Sequence, residues 1–302
     1  YSRQTESARQ SDQIRGYMND DLLIEKFEKM GARLKVRTTF PRRGWGDFGN
    51  PVPTFNILTD NRGEYYDMRY TLATGMERAE VQILDLQPKD RHLLLMVKTP
   101  EIREGVGNNK SKFLMGHDER HWFVAAVPEK VTGVSRVIQA KQALQPMDVR
   151  IALERAGVKE KDKLKRKNEA FLRQGEWFFL PVPGLVVQDD RILRDEPLTR
   201  GGAMRRGGGK PHMMEYCYRT GGESVYVNHQ FPTGITVAKY NSLTQDQRKR
   251  GNFRMMVKDA GVYAKGKISH SDHATLHLPC WHRIVLTTEN QAAAMRHVAF
   301  LD

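Results

Sequence analysis

The stretch ISHSDHATLHLPCWHRIV, residues 268–285, places four histidines, a cysteine and a tryptophan in eighteen positions. A zinc-type site needs three or four N, S or O ligands converging at about 2.0–2.3 Å. His270 and His273, spaced H-x-x-H on an expected turn, supply two. Cys280 and His282 on the facing segment complete a candidate set for zinc or another divalent metal. The pattern is neither a zinc finger nor H-E-x-x-H, and it lacks the H-x-E and P-C-x-x-C of zinc deaminases. The competing reading is a hydrogen-bonded, histidine-rich hairpin. Strand alternation puts His282 on the inward face with Ile284 and Leu286, and turns His277 away from Leu276 and Leu278.

Two further clusters can do acid–base work. In KPHMMEYCYR (210–219), His212 is a candidate acid or base. With Glu215 and His270 it forms a candidate catalytic set for attack on a phosphodiester, Arg205 and Arg206 stabilising charge. In GHDERHWF (116–123), His121 with Glu119 forms a base and its orienter, and Asp118 with Glu119 a Mg²⁺ pair. The ordinary alternative there is a charged, solvated entry to a buried strand. No G-x-S-x-G elbow occurs, and GGGKPH lacks the spacing of a Walker loop.

Charge identifies the partner class. The 302 residues carry 49 Lys and Arg against 36 Asp and Glu, a formal +13. Such a surplus favours polyanions, nucleic acid first and anionic membrane surface second. Three clusters carry it: Arg42 and Arg43 in FPRRGWGDFGN; the run 159–167, with Lys163, Lys165, Arg166 and Lys167; and TRGGAMRRGGGK (199–210), with Arg200, Arg205, Arg206 and Lys210. The last is RGG-like. Its five glycines let backbone N–H groups and guanidinium forks approach phosphates together. Tyr65, Tyr66, Arg69 and Tyr70 add the expectation of a base-stacking strand face.

The elements that must position these groups read as α+β. A polar arm (1–18) leads into an N-terminal domain (19–130). There the helix DLLIEKFEKM, capped by Asn19 and ended by Gly31, precedes strands 33–38, 54–59, 64–71, 79–86 and 91–98 in a mostly antiparallel sheet. The tetrad 60–63 is a hairpin turn, 105–112 a loop, and WFVAAV a buried strand. A helical connector (131–174) holds helices 134–144 and 147–157 and a charged helix or linker, 159–174, as the domain boundary. The C-terminal domain (175–302) reads as short antiparallel strands, barrel- or sandwich-like, closed by the helix 289–300. No apolar run is long enough to span a membrane. Only Cys217 and Cys280 are present, so a reducing cytoplasm is the expected setting.

Three functions follow as expectations. The first is a nucleic-acid-binding protein gripping phosphates through the basic run and the Arg/Gly loop. The second is a metal-assisted phosphodiesterase or nuclease built on the histidine-rich hairpin. The third is an assembly protein of a mobile element or virus particle.

Overall fold

The computed structural model describes residues 20–40, 50–99, 110–198 and 211–292. They form an α+β architecture in two compact units, 20–145 with 288–292, and 146–287. The division falls at Gln145/Pro146, so the charged stretch 159–174 lies inside the second unit instead of bounding it.

The first unit opens with helix α1 (Asp20–Lys29), whose Asp20 and Asp21 at the start and Lys26 and Lys29 at the end complement the helix dipole. It buries Leu23 and Phe27, and Gly31 turns the chain out at φ +84. Asn19, the expected cap, lies outside the described residues. Strands β1 (Leu34–Thr39), β2 (Asn50–Asp60) and β3 (Gly63–Thr71) form one sheet in the order β1-β3-β2. Here β1 runs parallel to β3, the one parallel pair among the described strands of an otherwise antiparallel unit. The expected 60–63 turn is present: Arg62 N–H donates to Asp60 Oδ1 at 2.9 Å, and Gly63 takes φ +98. A second sheet is the antiparallel meander β4 (Glu80–Gln87), β5 (His92–Lys98), β6 (Lys110–Asp118) and β7 (His121–Val127). Its strands are covered on both faces. Leu93, Leu95, Phe113 and Met115 join Phe27, Phe55 and Tyr66 in the main core. Leu94, Leu114 and Ala125 pack under helix α2 (Val137–Ala143).

The β3 tyrosines do not offer a stacking face. Tyr65, Tyr66 and Tyr70 are all buried, because β3 is the central strand of its sheet with apolar packing around it. The Tyr66 hydroxyl lies 3.1 Å from the Gly116 carbonyl and 3.0 Å from that of Phe123.

In the second unit, helix α3 (Met147–Arg155) packs Val149 and Leu153 on Phe171, Phe178 and Leu180. Strands β8 (Leu172–Gln174), β9 (Trp177–Pro181), β10 (Leu193–Leu198), β11 (His212–Thr220), β15 (Gly261–Ser269) and β16 (Leu276–Leu286) make one antiparallel sheet, ordered β10-β11-β15-β16-β9-β8. Its edges, β10 and β8, do not pair, so the sheet is open and the barrel expectation falls. Strand β16 runs unbroken through Pro279–Trp281. Proline is tolerated because it sits at the irregularity between Ala264 and Gly266 and before β9 begins to pair.

Between β11 and β15 a lobe is inserted: β12 (Glu223–Val227), β13 (Ile235–Thr236), helices α4 (Val237–Asn241) and α5 (Gln245–Gly251), and β14 (Arg254–Lys258). Its three strands form a separate sheet ordered β13-β12-β14. The chain turns helical after Thr236, whose hydroxyl caps α4 at Lys239 N. The expected terminal helix begins as a 3₁₀ turn, Thr288–Gln291, and residues beyond 292 lie outside the described ones.

Candidate metal centre

Three histidines converge at one end of the β11–β15 pair. His212 opens β11, and Met213 beside it pairs with Ser269, so the turn after β15 brings His270 and His273 over the start of β11. One ring nitrogen from each lies within 4.8 Å of the others. The His212 and His270 rings stack with centroids 4.3 Å apart and planes 22° apart; His212–His273 is 5.5 Å and His270–His273 4.9 Å. His212 is buried at 4% exposure, while the other two are half-buried.

Neighbouring groups hold the rings in place. Asp272 N–H donates to His270 Nδ1 at 3.1 Å, which puts the proton of a neutral ring on Nε2. The Gln174 side-chain amide donates to the Ala274 carbonyl, tying the turn to the end of β8. A Cβ built on Gly175 would stand 3.0 Å from His273 Nε2, so His273 rests directly on that backbone.

Imidazole nitrogens brought this close can share one cation between them. Tetrahedral ligation at about 2.0–2.1 Å sets nitrogens about 3.4 Å apart, within reach of side-chain rotation from the present spacing.

The structure gathers only part of the expected set. His212, expected as an acid–base group, joins His270 and His273. Cys280 and His282 do not belong to that cluster. His282 is buried in the sheet opposite Ala264 and Pro181, its Nδ1–H donating to the Cys280 carbonyl at 2.8 Å. Burial pushes its pKa below the usual histidine value. Glu215 is not brought beside His212 either. It sits on the exposed face across the strand irregularity, and its Oε2 accepts the Lys267 N–H at 2.7 Å. That bond, first among its causes, lowers its pKa.

The second acidic–histidine cluster includes a carboxylate from another strand. His121 Nδ1 lies 2.6 Å from Glu64 Oε1, and Glu64 Oε2 accepts the Trp122 N–H at 3.0 Å. Glu64, 57 residues away on β3, is thus a carboxylate partner of His121. Only the sheet packing reveals it.

The basic run is partly self-neutralised. Lys163 pairs with Glu160 at 2.7 Å and Lys165 with Asp162 at 2.5 Å. Burial, helped by the like charge of Arg173, pushes the Arg166 guanidinium down to about 10. Lys167 stays exposed. Arg42, Arg43, Arg200, Arg205, Arg206 and Lys210 lie outside the described residues.

Comparison with known proteins finds no matching family model, no matching curated protein and no matching solved structure. Among the described residues, no helix is long and apolar enough to cross a membrane.

Proposed function

We propose that this protein binds a divalent transition metal, zinc first, through His212, His270 and His273, and uses it to hydrolyse phosphodiester bonds in nucleic acid. The observation that carries the reading is the convergence of three imidazole nitrogens within 4.8 Å. Three protein ligands leave a fourth position for water, the pattern of hydrolytic rather than structural zinc. The formal +13 supports an anionic substrate. Glu215, held by Lys267 N–H, is not assigned the acid–base role in this reading. Two cysteines outside any disulfide fit a cytoplasmic setting.

The test is elemental analysis of untagged protein beside His270→Ala, followed by cleavage of labelled oligonucleotides with and without EDTA. The reading expects about one metal ion per chain, lost in the variant, and cleavage abolished by EDTA and restored by zinc or manganese. Folded protein that takes up no metal, or cleavage that persists in EDTA and in His270→Ala, overturns it.

Nucleic-acid binding without chemistry is the second reading. It is favoured by a basic, aromatic surface on the inserted lobe.

A further inference from the structure

The lobe spanning residues 223–258 uses little of its apolar content for its own core. Within it only Val225 and Asn228 are buried. Yet it carries four of the eleven exposed large hydrophobic residues among the described ones: Phe231, Val237, Met255 and Val257. Met255 is 66% exposed and Val257 56%. Cross-strand register sets them on one sheet face with Tyr226, since Tyr226 pairs with Met255 and Ser224 with Val257.

That face continues as an aromatic ladder. Tyr226 and Tyr240 stack at 3.6 Å and 9°; Phe253 meets Tyr240 edge-on at 5.3 Å; and Phe231 lies parallel to Phe253 at 6.2 Å. Cations lie in the same lobe, though Arg254 and Lys258 alternate with Met255 and Val257 and so project from the opposite sheet face. The lobe holds Lys239, Arg248, Lys249, Arg250, Arg254 and Lys258 against Glu223 and Asp246. The Arg248 guanidinium lies 5.5 Å from the Tyr240 ring centre and is aimed by the Leu243 and Asn241 carbonyls. Arg250 approaches Asp246 only at 4.0 Å, with both side chains at least 80% exposed, so its charge remains available to solvent or a ligand.

We propose that this lobe is a docking surface for single-stranded nucleic acid. Flat aromatic and apolar groups among cations match bases and phosphates together, and unstacked bases supply the faces that such a ladder takes up. A duplex hides those faces. A second copy of this chain is the poorer occupant, because Arg254 and Lys258 on the edge strand β14 would meet their own like charges across a twofold pairing. The lobe grows from the Thr220–Gly261 end of the β11–β15 pair, whereas the three histidines sit at the Met213–Ser269 end. At about 3.3 Å per residue the two are roughly 25 Å of strand apart. The surface is therefore separate from the metal centre, and binding here needs no metal.

The experiment is fluorescence anisotropy in EDTA, with a labelled single-stranded oligonucleotide and its duplex. It compares wild-type protein, the lobe variant Lys249→Glu/Arg250→Glu and the control Lys89→Glu/Lys130→Glu. All the substituted lysines and arginines are exposed, so the fold should be kept. The expected result is single-strand binding at least tenfold tighter than duplex binding. It should weaken at least tenfold in the lobe variant, change less than twofold in the control, and fall steeply with salt. Ultraviolet crosslinks should map to Tyr226, Phe231, Tyr240 or Phe253. Equal or tighter duplex binding, unchanged affinity in the folded lobe variant, or dimerisation through the lobe with no binding overturns the proposal. Loss of metal-dependent cleavage with single-strand binding retained would overturn the enzyme reading alone.

Discussion

His273 rests on the backbone of Gly175: a Cβ there would stand 3.0 Å from its Nε2. Gly175 also holds φ +56, a conformation that side chains other than glycine rarely adopt. Gly175→Ala therefore perturbs the three-histidine cluster without removing one of its imidazoles. It should keep the protein folded at a cost of about 1–2 kcal/mol, yet weaken zinc binding at least tenfold in a competition titration. Unchanged affinity would mean that His273 does not ligate.

Burial of His282 makes the second unit sensitive to acid. Its pKa is lowered from the ordinary 6.5 by desolvation, against the opposing effect of the Cys280 carbonyl. The folded state thus holds its proton less well than the unfolded chain. Stability is full above about pH 6.5 and is lost as pH falls from there towards the folded value, by at most about 1.4 kcal/mol per pH unit for one proton. His117 in the first unit is lowered as well, by burial and then by Arg91, and acts with the same sign. Denaturant titrations between pH 7.5 and 5 should show the decline, and His282→Gln should make it shallower. An unaltered slope in that variant refutes the assignment.

The Tyr66 hydroxyl is fully buried between two carbonyls, whereas Tyr65 shares its hydroxyl with the half-exposed Arg37. Removing a buried donor leaves an acceptor unsatisfied, at about 1–2 kcal/mol. Tyr66→Phe should lose that much in urea unfolding, and Tyr65→Phe less than 1 kcal/mol. Equal losses would place the stabilisation in ring packing instead.

Period and turn chemistry made the strands legible, but not their partners. The run 91–98 read as a strand and is β5, and β15 begins and ends where GVYAKGKIS does. Alternation also placed His282 inward and His277 outward. Pairing across distance left no local trace. The parallel β1–β3 ladder skips over β2, and Glu64 reaches His121 only because two sheets pack. His212 joined His270 for the same reason: 58 residues separate them, and the β11–β15 ladder closes the gap. The 159–167 run has like charges four residues apart, as in Lys159/Lys163 and Lys161/Lys165, which disfavours the helix considered for it; a single 3₁₀ turn forms. The lobe's aromatic ladder went unread because Tyr226, Phe231, Tyr240 and Phe253 share no sequence period.

The bond from Asp272 N–H to His270 Nδ1 gives the metal reading its most direct spectroscopic test. With Nδ1 accepting, a neutral ring carries its proton on Nε2. A metal entering at Nδ1 displaces the Asp272 N–H; one entering at Nε2 moves the ring proton to Nδ1, which then cannot accept that bond. Either route frees the amide. Zinc titration followed by ¹H–¹⁵N spectroscopy should therefore shift the Asp272 amide and raise its hydrogen exchange at least tenfold, while the Lys267 amide, held by Glu215, stays protected. Proton competition adds a second signature, since all three imidazoles must be neutral to ligate and affinity should fall as pH drops from 7.5 to 5.5. Saturating zinc that leaves the Asp272 amide unmoved would exclude His270 as a ligand and leave the three rings as a packed, metal-free stack.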